Sequence, residues 1–321
     1  MNIGVIGLGF MGRNHLRVLR SMPVVTEIAI AEIDKKSLLQ AAKDFSISKI
    51  YKDYKMMLKK EKLAGVIVAT PTPTHSEIAL YIMSKHINVF VEKPLAHNIS
   101  EAERMIKFAK KMRIILAVGH IERFNPVVTK IKEFLDKKFL KNIYLINTFR
   151  TGPFPKRFFG NADGVLTELA VHDFDNIHYL IGEIVSIRSQ IIRSGKQEIY
   201  GRTLMDLKNG VKASSEFSWI SPRRLRIVEI YGDSGMLLGD YYNQEVWFYE
   251  NSAFKINPHS VGSFFGLGMI AAGKIIKYPV AKEEPLLLEM NNFLNTIAKK
   301  EKLFVKPEEA LLVMKKILEI V

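Results

Sequence analysis

Three glycines near the amino end, Gly7, Gly9 and Gly12, are spaced G-x-G-x-x-G within GLGFMGRNH, directly after the apolar run Asn2–Ile6. This spacing between a strand and a helix suits a dinucleotide. Gly7 permits a tight turn, Gly9 lets the backbone approach a pyrophosphate, and Gly12 allows close helix–strand packing. The first N–H groups of the helix, from Phe10 and Met11 onward, then face the anion. Glu32 lies 20 residues beyond Gly12, at the end of the second strand-like run. A carboxylate there can bind ribose hydroxyls and repel a 2′-phosphate, which favours NAD over NADP. Lys35 and Lys36 keep NADP open, although Asp34, Lys35 and Lys36 read equally well as a solvated helix start.

Two further places could move protons. Lys93 follows a strand-like run and precedes Pro94. Most lysines are solvated, but one at the carboxyl edge of an open α/β sheet stands where such sheets bind ligands. There it can hydrogen-bond a reacting hydroxyl and stabilise developing negative charge, while Glu92 can reach a ribose or Lys93 itself. His172 follows Glu168 by four residues, on one face of a helical stretch. The pair reads either as an imidazole oriented by a carboxylate and ready to accept a proton near neutral pH, or as a common, weak helix pair beside a core histidine. Asp173 and Asp175 could cap, pair with arginine or line a pocket. The His, Glu and Asp side chains could also suggest a metal, but hydride chemistry needs none, and none is expected.

The elements that must carry these groups follow from periodicity. Short β-branched runs at Ile3–Ile6, Glu27–Ala31, Gly65–Ala69, Asn88–Val91 and Ile114–Val118 alternate with amphipathic helical stretches, which predicts a doubly wound parallel sheet. Within SEAERMIKFAKK, Ser100 reads as an N-cap with Glu103 as its capping-box partner. Beyond Gly119 the pattern changes to a helix over Pro126–Leu135, a strand over Asn142–Phe149, the segment TGPFPKRFFGNADG, a helix over Val165–Ile181 and then successive strands. Asn209-Gly210 between two of them predicts a two-residue type I′ hairpin, with φ above zero at both positions. Asn251–Glu284 reads as an irregular excursion, and helices near Pro285–Lys299 and Pro307–Ile320 close the chain. The expected architecture is a Rossmann domain over 1–121 and an α+β domain over 122–321 with a large, mostly antiparallel open sheet. The last helix is free to pack back on the first domain. The aromatic strands around Trp219, Tyr231, Tyr241, Trp247 and Tyr249 suit a core and a sheet-face interface between copies, as a homodimer or homotetramer.

Composition narrows the classes. The chain has 321 residues, of which 48% are hydrophobic and 25% charged, with a mean hydropathy of +0.05. These are values of a globular chain with material for about two cores. The absence of cysteine excludes disulfides, thiolate catalysis and Cys-ligated zinc. The amino end lacks a basic leader and no apolar run approaches the ~18 residues of a membrane span, so a cytoplasmic protein without membrane association is expected. A net charge of +14 attracts anions. Its lysines are scattered, and no nucleic-acid-binding motif accompanies them, so nucleic acid is not an expected partner.

GLGFMGRNH, ATPTPTHSEIA (Ala69–Ala79) and VFVEKPLA (Val89–Ala96) together resemble the Gfo/Idh/MocA oxidoreductase family. The resemblance implies a Rossmann domain followed by a domain with an open antiparallel sheet. It places Lys93 on the lysine of the family's EKP mark and His172 on its helical histidine. Glu168 stands where the family usually has aspartate. It adds Thr70, Pro71, Thr72 and Glu92 to the cofactor-binding residues, with His75 either near the cofactor or a histidine at a helix start. His15 matches a histidine frequent after the glycine fingerprint and is read as a packing residue. VGHIERFNPVV (Val118–Val128) and PLLLEMNNFLNTI resemble the subgroup acting on nucleotide-activated N-acetylamino sugars, the UDP-N-acetylglucosamine 3-dehydrogenases and related uronic-acid enzymes. That implies His120, Glu122, Arg123 and Asn125 as substrate contacts, although Arg123 could instead pair with Glu122. Lys156 and Arg157 face either a diphosphate or solvent. The expected reaction is oxidation of a sugar hydroxyl, at C3 in that subgroup, with hydride passing to NAD; His172 and Lys93 together remove the hydroxyl proton, and the resemblance leaves open which of the two is the base. Dehydrogenation of another polyol such as inositol, or a silent NAD-binding regulator, are the alternatives.

Overall fold

The computed structural model describes residues 1–154, 164–251 and 273–320. Contacts divide them into two units, Met1–Phe124 with Glu283–Leu318, and Asn125–Lys282 with the last residues of the chain.

In the first unit, β1 (Asn2–Ile6), β2 (Glu27–Ala31), β3 (Lys49–Tyr51), β4 (Gly65–Val68), β5 (Asn88–Glu92) and β6 (Leu116–Gly119) form one sheet in the order 3-2-1-4-5-6. Every pairing is parallel. The strands are near-continuous apolar runs because both faces are covered. Alternation divides them: Val66, Val68, Val89 and Val91 enter one core, whereas Ile67 and Phe90 enter the other. Helices α1 (Phe10–Arg20), α2 (Lys35–Asp44), α3 (Tyr54–Lys60), α4 (His75–Ser84) and α5 (Ile99–Met112) intervene between the strands.

Both carboxy-terminal helices return to this sheet. α8 (Pro285–Ile297) adds Leu286, Met290, Phe293 and Leu294 to the core beside Leu16 and Leu19 of α1. α9 (Pro307–Leu318) adds Ala310 and Met314 to the opposite core. Both later helices therefore belong with the first unit, α8 on one face of its sheet and α9 on the other.

α5 begins earlier than its capping sequence predicts. Asn98 is the N-cap, its side chain accepting the Glu101 N–H at 2.9 Å, so Ser100 falls inside the first turn. Glu103 bonds Lys315 of α9 at 3.0 Å instead of closing a box.

The second unit is built on an eight-stranded sheet. Its strands are β7 (Ile143–Pro153), β8 (Ile184–Ser194), β9 (Gln197–Leu207), β10 (Lys212–Ser218), β11 (Ile220–Gly232), β12 (Gly235–Asp240), β13 (Glu245–Glu250) and β14 (Ile275–Tyr278). They run in the order 14-13-12-11-7-10-9-8. Only β7 and β10 are parallel; the other neighbours are antiparallel. α6 (Pro126–Asp136) packs on β12 and β13, and Gly239 is required beneath it, since a Cβ there would meet Val127 at 2.6 Å. α7 (Val171–Leu180) continues directly from a π-helical turn, Leu166–Ala170, so the expected helix is present but begins with π-type hydrogen bonding. Alternation along β7 buries Ile146, Thr148 and Arg150, leaving Leu145, Asn147 and Phe149 half-buried on the outer face.

The β9–β10 hairpin differs from the expected turn. Of the Asn209-Gly210 pair only Gly210 has positive φ, at 85°. Gly210 N–H bonds Leu207 O at 2.9 Å and Leu207 N–H bonds Val211 O at 3.0 Å, so the connection has one residue more. That is a type I turn closed by a left-handed glycine. Asn209 is tied elsewhere, donating to Ile181 O at 3.0 Å.

Among the described residues no helix is long and apolar enough to cross a membrane. Phe293 meets Phe90 edge-on at 5.7 Å and is fully buried. Phe293→Ala is expected to cost about 3–5 kcal/mol in urea unfolding; a loss below about 1 kcal/mol would show that α8 does not seal this face.

Candidate active site

The carboxyl ends of β1, β4 and β5 lie side by side, with the strand order reversing between β1 and β4, where open sheets of this kind bind ligands. Gly7 turns the chain there with φ of 88°, and a Cβ on it would lie 2.6 Å from Ala69 O. Gly12 is closer still, its missing Cβ falling 1.9 Å from Gly7 O, so the first turn of α1 packs against the strand end. Gly9 has nothing within 4 Å of that position and leaves its side open. The first turn of α1 contains no acidic residue, so no carboxylate of the helix itself offsets the positive end of its dipole. This cradle fits a dinucleotide pyrophosphate. Phe10 is exposed and Met11 half-buried at its rim.

Glu32 follows β2 and is anchored by the backbone, Oε2 accepting from Leu8 N at 2.8 Å and Oε1 from Asp34 N at 3.0 Å. Each oxygen keeps a lone pair for a ribose hydroxyl. The carboxylate is thereby also part of the glycine turn it accompanies.

After β4, Thr70, Pro71 and Thr72 form a partly exposed loop closed by Thr74, whose hydroxyl bonds Thr70 Oγ1 at 2.7 Å. His75 heads α4 but is buried. Its Nε2 lies 2.8 Å from Thr70 O and its Nδ1 2.9 Å from Pro94 O. The ring therefore ties the loop after β4 to the loop after β5. Desolvation by burial pulls its pKa below the usual 6.5, against the pull of the two carbonyls.

β5 ends at Glu92, and Lys93 follows, half-buried, joined to Pro94 by a cis peptide. Glu92 Oε1 is 2.7 Å from His15 Nε2, and Oε2 accepts the Lys93 backbone N–H at 3.3 Å. Sequence reasoning did not find the His15 contact. Its one signal was a histidine on the face of α1 that otherwise buries Gly12, Leu16 and Leu19.

The residues after β6 are drawn inward. His120 and Glu122 are buried. Arg123, 1% exposed, bonds Glu309 of α9 through Nη1 at 2.5 Å, a partner supplied by a distant helix. Asn125 caps α6, accepting from Val127 N at 3.1 Å and donating to Tyr241 O at 3.3 Å. Arg123 and Asn125 thus each have at least one polar group engaged within the fold. Lys156 and Arg157 lie outside the described residues.

In the second unit, Glu168 lies in the π-helical turn and His172 in the first turn of α7. Both are half-exposed, while Asp173 to Ile177 are buried. A π-helical turn is a recurrent feature of functional sites. Asp173, left open between three uses, pairs with Arg150 of β7: Oδ1 accepts from Nε at 3.0 Å and Nη2 at 2.8 Å. This buried pair fixes α7 against the sheet next to His172.

Residues 1–120 match the oxidoreductase family with the NAD-binding Rossmann fold, and residues 128–238 match the GFO/IDH/MocA C-terminal domain. A myo-inositol 2-dehydrogenase of Thermotoga maritima is 30% identical over 58% of this chain, a match that spans 56% of that relative's length. A UDP-N-acetylglucosamine 3-dehydrogenase of Acidithiobacillus ferrooxidans is 25% identical over 93% of this chain and 89% of its own. A solved structure of the enzyme of that name from the same organism superposes with a TM-score of 0.84, at 22% identity, covering 100% of this chain and 96% of the other.

His75 is expected to make the protein sensitive to acid. Its folded pKa lies below the unfolded 6.5, so as the pH falls below 6.5 the unfolded state takes up the proton first and stability declines. His75→Gln should flatten that decline in thermal unfolding followed against pH. An unchanged slope would show that His75 does not contribute to it.

Proposed function

Because the chain belongs to the Gfo/Idh/MocA oxidoreductase family, we propose that it is an NAD-dependent dehydrogenase of a sugar hydroxyl, acting on a nucleotide-activated N-acetylamino sugar such as UDP-N-acetylglucosamine or its uronic acid. One observation carries the chemistry: Lys93 and the Gly7–Gly12 cradle share the carboxyl edge of one parallel sheet. The choice of sugar rests on GHIERFNP and on a relative matched through 93% of the chain. Oxidation at C3 follows from that relative's activity.

When bound in the Gly7–Gly12 cradle, an oxidised nicotinamide cofactor would supply the hydride acceptor for the carbon bearing the hydroxyl. The α1 N-terminus binds the pyrophosphate, and Glu32 binds the ribose and disfavours a 2′-phosphate. Thr70, Pro71 and Thr72 border the cofactor, with His75 behind them. Lys93 donates to the reacting oxygen and stabilises the charge that develops as the O–H bond breaks. His172 takes the proton, oriented by Glu168. The carbonyl product, one proton and one hydride account for the two hydrogens lost. His120 and Glu122 border the sugar, and Lys156 and Arg157 suit its diphosphate.

Inositol oxidation is the second reading, favoured by the 30% identity to a myo-inositol 2-dehydrogenase. The assay that separates the two offers NAD with each substrate in turn and follows reduced-nicotinamide absorbance. Turnover of a UDP-N-acetylamino sugar, poorer with NADP, is expected. Turnover of inositol alone would move the substrate, and retained NAD binding without any turnover would favour a regulator. Lys93→Ala and His172→Ala are each expected to lose about 10²-fold or more in kcat with NAD affinity kept; unchanged rates would remove them from the mechanism.

Copies of the chain are proposed to associate through the outer face of the second sheet. Trp247 and Leu238 are register neighbours on the face opposite Thr148 and Val228, and Leu204, 59% exposed, lies further along the same row beyond Glu229, Asn147 and Ser214. Apolar side chains on an open sheet face are the reason for placing the contact there. Leu204→Glu should lower the mass measured by light scattering; a wild-type monomer would end the idea.

A further inference from the structure

Beneath Lys93 lies a polar pair that the strand-end chemistry does not require. Glu92 is 7% exposed and His15 wholly buried, with Nε2 and Oε1 2.7 Å apart. Phe90 meets the imidazole edge-on at 5.4 Å. Gly119, the register partner of Glu92 on β6, leaves the space the carboxylate occupies, since a Cβ there would lie 3.0 Å from Oε2. His15 Nδ1 is buried without a hydrogen-bond partner among the described residues. An unpaired buried N–H is costly, so the proton of a neutral ring belongs on Nε2, where it is donated to Glu92.

Helix–strand packing alone gives no reason for this arrangement. The neighbours of His15 on the buried face of α1 are Gly12, Leu16, Val18 and Leu19. Replacing a buried polar pair by apolar residues of similar volume is often neutral or stabilising. What two apolar side chains could not do is fix a carboxylate at the end of β5 with one oxygen on the backbone N–H of Lys93. On the far side, His75 Nδ1 lies 2.9 Å from Pro94 O. Two buried imidazoles, from α1 and α4, thus bracket the Lys93-Pro94 segment.

We propose that His15 is a positioning residue for the oxidation, acting through Glu92 to set where Lys93 presents its ammonium group. The proposal rests on the reading of Lys93 as catalytic. A misplacement of about 1 Å in such a group costs on the order of 100-fold in rate. His15→Leu removes the donor while filling space. His15→Gln returns an amide N–H close to the Nε2 position. Gly119→Ala presses on Oε2 from a different element, leaving the glycine turn untouched.

The test measures kcat, KM for the sugar nucleotide and NAD affinity in all three. His15→Leu and Gly119→Ala are expected to lower kcat about 10- to 100-fold with KM and NAD affinity little changed, and His15→Gln to recover most of the loss. Unchanged kcat in His15→Leu, a loss that His15→Gln does not restore, or a parallel loss of NAD affinity would overturn the proposal. If His15→Leu does not fold, Gly119→Ala and His15→Gln decide it. A substrate-free measurement separates this from the functional reading: the rate at which acetic anhydride modifies Lys93, resolved by mass spectrometry against other lysines. His15→Leu should change that relative rate and His15→Gln restore it, whether or not a sugar turns over. An identical rate overturns the positioning role, whereas wild-type kcat in Lys93→Ala overturns the functional reading.

Discussion

Burial of β1, β4 and β5 on both faces is the constraint on which the first unit depends. A strand covered by helices above and below has no lateral route to solvent for a polar side chain. Polar groups that must meet a ligand therefore emerge where such strands stop. The glycine turn, Glu32, the Thr70 loop and Lys93 all follow strand ends on one edge of the sheet. α8 and α9 belong to the same constraint, because without their apolar faces the two cores would be incomplete.

Within that frame, ionisable side chains hold the edge together. Glu32 accepts from the backbone of both the glycine turn and the start of α2. Glu92 joins His15 to Lys93, and His75 joins the loops after β4 and β5. Three of these contacts, Glu32 with Leu8, Glu92 with His15 and His75 with Pro94, join different βα units. Loops so tied move as a group, which suits a site that must hold a flexible dinucleotide in one geometry.

The second unit uses the same device with stronger charges. Arg150 enters the inner face of β7 by alternation, and its Nε and Nη2 both bond Asp173 Oδ1. A buried guanidinium is tolerable only with such a partner. The result fixes the start of α7, and with it the half-exposed side that bears His172. The π-helical turn before it alters the presentation of Glu168 relative to a regular helix.

Local periodicity in the chain determined the parallel sheet, the glycine turn, the acidic residue after β2 and the lysine after β5, because each follows from residues close in sequence. The hairpin at Asn209-Gly210 was placed correctly but its turn was not, since a bond from Asn209 to Ile181 lies outside any local rule. The cap of α5 moved from Ser100 to Asn98 for a reason equally invisible in a motif: both side chains can cap, and the path of the preceding loop chose. Only tertiary structure decided that Arg123 meets Glu309, that Asp173 meets Arg150, and that His15 meets Glu92. Those partners are separated by 186, 23 and 77 residues. A buried charge or imidazole must find a complement, but composition and spacing do not say which distant group supplies it; the packing of the elements does.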